Sequence, residues 1–209
     1  MADSKISALV AAVAAEGDEF VINEAGTTKR LPARLMRAWL GNTQRNQSID
    51  DQLPAAGATT YVEQSQINVP AGKLRIGTFF RWTLTATKTA AGTAARSILI
   101  KLGRGGNTGD ATIVTLTSSA PTAATDTALF RVTLIIRGPL SASCVANGAY
   151  AFIHFQSNSG FNANEVEVVQ ATSGTFDATV PELICGLALS MGASEAITIQ
   201  QIVTEAYNL

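Results

Sequence analysis

Residues that usually carry chemistry are scarce in this chain of 209 residues, which has one histidine, two cysteines and 15% charged residues. Cys144 and Cys185 are too few for a disulfide framework, so the fold must depend on a packed core, and whether the two pair stays open. The apolar neighbours of Cys185, in Leu-Ile-Cys-Gly-Leu, predict a small buried residue. A reducing compartment during folding fits this usage best.

The near-absence of histidine also limits the catalytic and metal-binding classes. His154 lies between aromatic residues in Phe-Ile-His-Phe, a setting more typical of a structural residue than of a general base. No second histidine and no close cysteine pair completes a zinc site, and no Gly-x-Ser-x-Gly elbow occurs. We therefore expect no enzyme, no metal and no cofactor. The carboxylates suited to glycoside cleavage are interpreted as a solvated acidic face; they are Glu165, Glu167, Asp177 and Glu182.

Long apolar runs are missing as well. No stretch approaches the roughly 20 apolar residues of a membrane span. Residues 6–15 superficially resemble a signal peptide, but Asp3 and the lack of a leucine-rich core argue against one. We expect a soluble protein without membrane contact. The basic residues form only a short run without interleaved aromatics, which argues against direct nucleic-acid binding.

Charge is unevenly distributed, although the net charge is only −1. Residues 29–45 hold five bases and no acid, whereas residues 104–209 hold three bases and eight acids. Such a division suits a protein whose two parts meet different surroundings. With 46% hydrophobic residues and so few charges, subunit contacts are favoured over a lone monomer, the alternative being a polar, Thr- and Ser-rich β surface.

The first forty residues read as a separate arm. Alternation around Phe20 and Ile22, followed by the turn sequence Glu-Ala-Gly-Thr at 24–27, predicts a small β-hairpin. Pro32 then suits a first helical turn, and apolar residues recur at helical spacing up to Trp39, which predicts a short amphipathic helix. Its apolar stripe packs either on its own hairpin or in a groove on a partner.

The rest of the chain predicts a linker and a β domain. Residues 41–58 are polar and aperiodic, which is typical of a linker between an arm at 1–40 and a domain at 59–209. Alternation and turn residues predict an antiparallel jelly-roll-like sandwich, a mainly β fold. Its candidate strands are residues 60–68, 77–87, 95–102, 111–117, 128–137, 148–156, 165–171, 174–180, 183–190 and 195–206.

Two loops attract attention as contact sites. The stretch 103–110, Gly-Arg-Gly-Gly-Asn-Thr-Gly-Asp, lacks the signatures of a phosphate or calcium loop, so a turn between strands is the favoured interpretation. Phe161, between Gly160 and Asn162, is either an exposed stacking platform or a core residue that anchors its loop, with the core reading favoured. If these loops form a binding tip, its candidate contacts are Arg104, Asn107, Phe161 and Asn162.

The arm resembles the N-terminal module of many tailed-bacteriophage virion proteins. The resemblance rests on Lys-Ile-Ser-x-Leu at 5–9, Asp-Glu-Phe-x-Ile-x at 18–23 and Gly-x-Thr-Lys-Arg at 26–30, and covers about forty residues. More weakly, the body from Tyr61 onward is similar to jelly-roll domains on phage capsids and tail tips. The module occurs in head fibres, head decoration proteins and tail fibres, so it implies attachment to a virion without saying where.

This resemblance implies a homotrimeric virion protein, made in the host cytoplasm and placed on the outer surface of the head, or on the tail. The first expectation is a capsid decoration or cement protein that bridges major capsid subunits. The alternative is a short tail-fibre or receptor-binding protein whose jelly-roll tip binds a host glycan. The residues expected to contact the virion lie in the arm; they are Lys5, Ile6, Leu9, Phe20, Ile22, Lys29, Arg30, Arg34, Leu35, Arg37 and Trp39.

Overall fold

The structure is a computed structural model that describes residues 19–24, 27–32, 43–89, 92–155, 160–162 and 166–209, with side chains described from Gln47 onward. The chain divides into two compact units, residues 1–41 and 42–209. Among the described residues there is no helix long and apolar enough to cross a membrane.

The first unit contains the predicted hairpin. Strand β1 (Glu19–Glu24) pairs antiparallel with β2 (Thr27–Pro32), and Glu24 lies opposite Thr27. Phe20 and Ile22 therefore lie on β1, and Lys29 and Arg30 on β2.

The predicted start of the helix is wrong. Leu31 and Pro32 belong to β2, where they lie opposite Phe20 and Glu19. A proline is tolerated at the end of an edge strand, since its missing N–H removes no hydrogen bond between the strands. The remaining helix prediction, with Arg34, Leu35, Arg37 and Trp39, lies outside the described residues, as do Lys5, Ile6 and Leu9.

The described part of the second unit is built from strands. They are β3 (Thr43–Ser48), β4 (Thr59–Tyr61), β5 (Ile67–Val69), β6 (Phe79–Lys88), β7 (Ser97–Gly103), β8 (Ala111–Thr117), β9 (Asp126–Gly138), β10 (Val145–His154), β11 (Val166–Thr172), β12 (Leu183–Ser190) and β13 (Ile197–Tyr207). Most of the predicted strands are confirmed. The stretch 60–68 is two short strands, and 174–180 has only one isolated bridge, between Phe176 and Cys144.

Strand β3 lies where the sequence predicts an unstructured linker. It pairs antiparallel with β13, with Thr43 opposite Tyr207 and Ser48 opposite Ile202. Its sequence, Thr-Gln-Arg-Asn-Gln-Ser, has no apolar alternation. The segment is therefore a strand because it pairs with β13, and its own sequence pattern does not predict one.

The strands form two antiparallel sheets. One has the order β11-β10-β9-β6-β13-β3, and the other the order β4-β12-β7-β8, with β5 also paired to β12. Without the β10–β11 hairpin, and with β4 and β5 counted as one interrupted strand, the second unit has eight described strands. If these eight are renumbered from 1 to 8 along the chain, β9-β6-β13-β3 becomes the order 6-3-8-1 in one sheet. The other sheet, β4-β12-β7-β8, becomes 2-7-4-5.

One hydrophobic core takes a face from each sheet. The predicted alternation of β6 is confirmed, because Phe80, Trp82 and Leu84 are buried and the residues between them are half-buried. The sheets approach closely at Gly148 of β10, where an added Cβ would lie 2.8 Å from Val114 Cγ1 of β8. Each large side chain in this core contributes about 1.5–3 kcal/mol through burial.

The strand register defines two ends of the body. Ser97 lies beside Thr117 and Ser190. One end of the body, here named the closed end, therefore holds the described residues 89, 92–96, 118–125, 155, 160–162 and 191–196. The opposite end of the body, here named the cleft end, holds the segments 70–78, 104–110, 139–144 and 173–182. Thr43, the first residue of β3, is also at the cleft end.

Candidate functional site

The closed end contains an unusual group of buried ionisable side chains. Lys88 is the last residue of β6, and Asp126 is the first residue of β9, which pairs with β6. His154 is the last residue of β10, and Arg96 and Glu195 lie just before β7 and β13. Lys88, Arg96, Asp126 and Glu195 are buried residues, and the His154 side chain is 6% exposed. Burial of charged groups is costly unless they are paired or hydrogen-bonded, so these groups need partners.

Three of these groups attach loops to the sheets. Lys88 Nζ donates to the Thr122 carbonyl at 2.9 Å, and Arg96 Nη2 donates to the Phe161 carbonyl at 2.7 Å. Asp126 Oδ2 accepts from the Phe161 N–H at 2.9 Å and from His154 Nδ1. These contacts restrain the segments around residues 122 and 161 by charge-assisted hydrogen bonds. His154 thus has the structural setting that its sequence context indicates.

Arg96 and Glu195 form a second buried pair. Arg96 Nη1 lies 3.8 Å from Glu195 Oε2, and neither carboxylate oxygen of Glu195 accepts a hydrogen bond from a described residue. Burial raises the pKa of Glu195, and the positive charges of Arg96 and Lys88 only partly oppose that shift. Burial likewise lowers the pKa of Arg96. Holding this pair inside the core therefore lowers the free energy of unfolding, because burial disfavours both charged forms.

Phe161 is a core residue. Its ring is fully buried, meets Phe130 edge-on at 5.0 Å and lies 4.7 Å from the Arg96 guanidinium carbon. The favoured core interpretation of this aromatic is therefore confirmed, and the exposed stacking platform is wrong. Asn162 is only 2% exposed. Neither residue offers its side chain as a surface contact.

Glu167 was expected on a solvated acidic face, but it restrains another loop. Its carboxylate accepts from the Ser119 N–H at 2.8 Å, the Ser119 hydroxyl at 2.6 Å and the Tyr150 hydroxyl at 2.7 Å. Burial alone would raise the pKa of Glu167, but these hydrogen bonds outweigh burial and lower it. Asp177 and Glu182, in contrast, are exposed as expected.

The loop at 104–110 is fastened from within. The Asp110 carboxylate accepts from the N–H groups of Gly105 at 2.9 Å and Gly106 at 2.7 Å. Lys101 Nζ donates to the carbonyls of Thr108 and Asp110, at 3.1 and 3.0 Å. The backbone N–H groups that a phosphate would need are therefore occupied by the chain's own carboxylate. The favoured prediction of a turn is confirmed.

Asn107 also takes part in this internal bonding, because its side-chain oxygen accepts from the Gly109 N–H at 2.8 Å. Arg104 is different, since its exposed side chain makes no hydrogen bond or ion pair with the described residues. The four predicted tip contacts are not brought together. Arg104 and Asn107 lie at the cleft end, whereas Phe161 and Asn162 lie at the closed end.

A cleft of about 320 Å³ opens beside Arg104. It lies between β8 and the 104–110 loop on one side and the 173–182 segment on the other. Its lining residues are Leu102, Gly103, Arg104, Ala111, Thr112, Ile113, Gly174, Thr175, Phe176, Asp177, Val180 and Leu183. The volume is near the lower end of ligand pockets, about 300–1,000 Å³. Sequence reasoning missed Phe176 as a lining residue, although an aromatic beside an acid in a Gly-containing segment was a signal.

The outer face of the six-stranded sheet carries an apolar strip at its β10–β11 edge. Ile153 and Val166 are paired across the strands, and each is more than half exposed. Val168 and Phe155 extend the exposed apolar surface. Contiguous exposed apolar side chains of this kind are typical of contact surfaces.

Neither cysteine forms a disulfide, and both thiols are buried. Burial raises the pKa of Cys185, in agreement with its predicted role as a small core residue. Within the described ranges, no group of three or more histidine, cysteine or acidic side chains is arranged to hold a metal ion.

No protein-family model matches the chain, and neither does any curated protein. Solved structures with some similarity include the CBM2 module of the evolved Dit of Lactobacillus casei BL23 phage J-1, with 13% identity, 69% of each chain covered and a TM-score of 0.28. A lectin from Bauhinia forficata in complex with GalNAc has 9% identity and a TM-score of 0.37, with 79% of this chain and 98% of the lectin covered.

The VP2 subviral particle of infectious bursal disease virus has 10% identity and a TM-score of 0.27. It covers 91% of this chain, which spans only 46% of VP2. Similarities of this degree assign neither a family nor a function.

Proposed function

We propose that this chain is a structural protein of a tailed-phage virion, in the first place a homotrimeric decoration or cement protein on the outer surface of the head. One observation carries the proposal: a separate N-terminal unit, whose hairpin sequence resembles a phage virion-attachment module, precedes a body whose described residues form β-sheets. The arm binds the particle, and the body covers or projects from it.

The body is, in this proposal, a jelly roll. Its strand order 6-3-8-1 and 2-7-4-5 is the order that two interleaved Greek keys produce when an eight-stranded jelly roll folds. The β10–β11 hairpin is then an insertion that widens one sheet. Jelly rolls occur in both viral capsid and lectin domains, so the fold supports the proposal without selecting a partner.

The arm would act by burying apolar side chains and pairing charge. Phe20 and Ile22 on β1 would pack on neighbouring major capsid subunits, together with Leu35 and Trp39 beyond the hairpin. Lys29 and Arg30 on β2, with Arg34 and Arg37, would meet acidic groups there.

A protein that binds only the assembled shell stabilises that shell by linkage, since its binding free energy is absent from the dissociated subunits. Three arms on one trimer would add avidity. The apolar strip of Ile153, Phe155, Val166 and Val168 supplies a surface for self-association, because exposed apolar patches favour burial between subunits.

The test of the arm is binding to undecorated heads and to tails, imaged by electron microscopy. We expect the full chain to give regular density on heads and a variant without residues 1–41 to give none. Circular dichroism and sedimentation would show whether the truncated body keeps its fold and trimeric state. Decoration by the truncated protein would refute the arm as anchor. Density only on tails would transfer the role to adsorption.

A matched pair of charge reversals tests the electrostatic part of the proposal. Arg34→Glu with Arg37→Glu should weaken attachment about tenfold or more and flatten its salt response, because each reversal turns attraction into repulsion. Arg131→Glu with Arg137→Glu changes the net charge equally on exposed positions of β9 and should leave attachment unchanged. Equal effects of the two pairs would contradict a specific role for the arm.

A further inference from the structure

The walls of the cleft are held in place before any ligand arrives. On one side, Asp110 and Lys101 fasten the 104–110 loop from within. On the other, Phe176 is bridged to Cys144 by two backbone hydrogen bonds of 2.9 Å, and the Ala178 N–H donates to the Ser141 carbonyl at 2.9 Å. A site of fixed shape binds a ligand with a smaller loss of conformational entropy.

Two charged side chains on the cleft rim keep hydrogen-bonding atoms that the described part of the fold does not use. Arg104 has no hydrogen-bonded or ionic partner there, and Asp177 uses only Oδ1, which accepts from the Thr179 N–H at 2.8 Å and hydroxyl at 2.6 Å. Asp177 Oδ2 accepts nothing from the described residues. These Thr179 bonds lower the pKa of Asp177, so the exposed oxygen stays ionised at neutral and mildly acidic pH.

We propose that this cleft binds a neutral saccharide unit, with Asp177 Oδ2 and the Arg104 guanidinium as its hydrogen-bonding groups and Phe176 as its apolar contact. The inference goes beyond the assembly role and does not depend on it. It also replaces the tip predicted from sequence, since only Arg104 of the four predicted contacts lines this cleft.

The chemistry of the lining selects the ligand class. A carboxylate and a guanidinium stand on opposite walls, so an anion attracted by Arg104 is repelled by Asp177, and a cation meets the reverse. Neither kind of ion therefore has a net electrostatic advantage in the cleft. A neutral ring with several hydroxyls satisfies both, because a hydroxyl donates to the carboxylate and accepts from the guanidinium. The half-buried Phe176 and the apolar side chains of Ile113 and Val180 suit the C–H faces of such a ring.

Saturation-transfer NMR on the full-length protein tests the proposal. The probes are the methyl glycosides of glucose, galactose and N-acetylglucosamine, with methyl glucuronide as the anionic counterpart. We expect saturation of at least one neutral glycoside and weaker or no saturation of the glucuronide. Failure of all three neutral glycosides, or saturation of the glucuronide alone, would overturn the proposal and leave the test on phage heads unaffected.

Matched variants place the binding in the cleft. Asp177→Asn keeps an oxygen for the Thr179 bonds but removes the charged acceptor, and we expect about tenfold weaker binding. Arg104→Gln should have a similar effect. Glu182→Gln and Arg75→Gln remove the same charges from exposed positions that do not line the cleft, and they should stay within about twofold of the parent. Parent-like binding by both cleft variants would place the saccharide elsewhere and refute the assignment.

The aromatic contact has its own control. Phe176→Leu should weaken binding by removing the ring, while Phe79→Leu removes a half-buried ring that does not line the cleft and should not. Because Phe176 also packs against the core, thermal unfolding of each variant shows whether the fold is intact. Parent-like binding by a folded Phe176→Leu variant would remove Phe176 from the proposed site.

Discussion

At the closed end, Lys88, Asp126 and Glu195 are buried, and Lys88 and Asp126 are bonded to the loops they support. At the cleft end, Arg104 and Asp177 are exposed, and their outer polar atoms have no partner in the described part of the chain. The two ends therefore teach how to separate charges that maintain a fold from charges available for binding. Burial together with bonding indicates the first, and exposure beside a fixed cleft indicates the second.

The largest expected effect is at Asp126. Asp126→Ala removes the acceptor of the buried Phe161 N–H and of His154 Nδ1, and we expect a loss of about 3–5 kcal/mol in the free energy of unfolding. Its counterpart at the cleft end, Asp177→Ala, should leave the unfolding midpoint unchanged. Urea titration of both variants measures the contrast. Similar losses at the two ends would break the comparison.

The Arg96–Glu195 pair should give a smaller, pH-dependent effect. Arg96→Met leaves a buried carboxylate without its nearest cation, with an expected loss of about 2–4 kcal/mol at neutral pH. The pKa of Glu195 is raised in the fold, so its contribution favours the folded state below the unfolded pKa and is lost as pH rises through the folded pKa. The deficit of the variant should therefore be smaller at about pH 5 than at about pH 8.

A second substitution sharpens this test. Adding Glu195→Leu to Arg96→Met removes the unpaired carboxylate and should recover part of the loss, since apolar groups often replace a buried ion pair at little cost. No recovery would show that the cost of Arg96→Met comes from the lost Phe161 hydrogen bond instead of the stranded charge.

The smallest effect concerns the rigidity of the cleft wall. Cys144 is buried and bridged to Phe176, while Cys185 lies in the core on β12. Burial raises the pKa of both thiols, so we expect both to react with a thiol reagent about a hundredfold or more slowly in the native protein than in urea. Rapid labelling of Cys144 alone would indicate that the wall opens and would weaken the argument for a preformed site.

Alternation in the sequence predicts the strands that carry the core. In β6 and in much of β13, apolar residues face the core and the residues between them face away from it. It misses β3, a polar edge strand that only the neighbouring β13 defines. It also groups Arg104 with Phe161, because sequence distance does not reveal that their loops lie at opposite ends of antiparallel strands. The sequence also does not distinguish the role of Glu167 from that of Asp177. The Glu167 carboxylate accepts hydrogen bonds from Ser119 and Tyr150, which are distant in sequence, whereas the Asp177 side chain is exposed to solvent.

Strand β3 also has a mechanical consequence. Any tension on the first unit enters the body through residue 42 and then through Thr43, at the cleft end of a strand whose six residues all pair with β13. A pull along the strand axis would load these pairs together, in shear, whereas a pull across the sheet would peel them one at a time. The body should therefore resist an axial load far better than a sideways one, and β3 would be the first strand to detach.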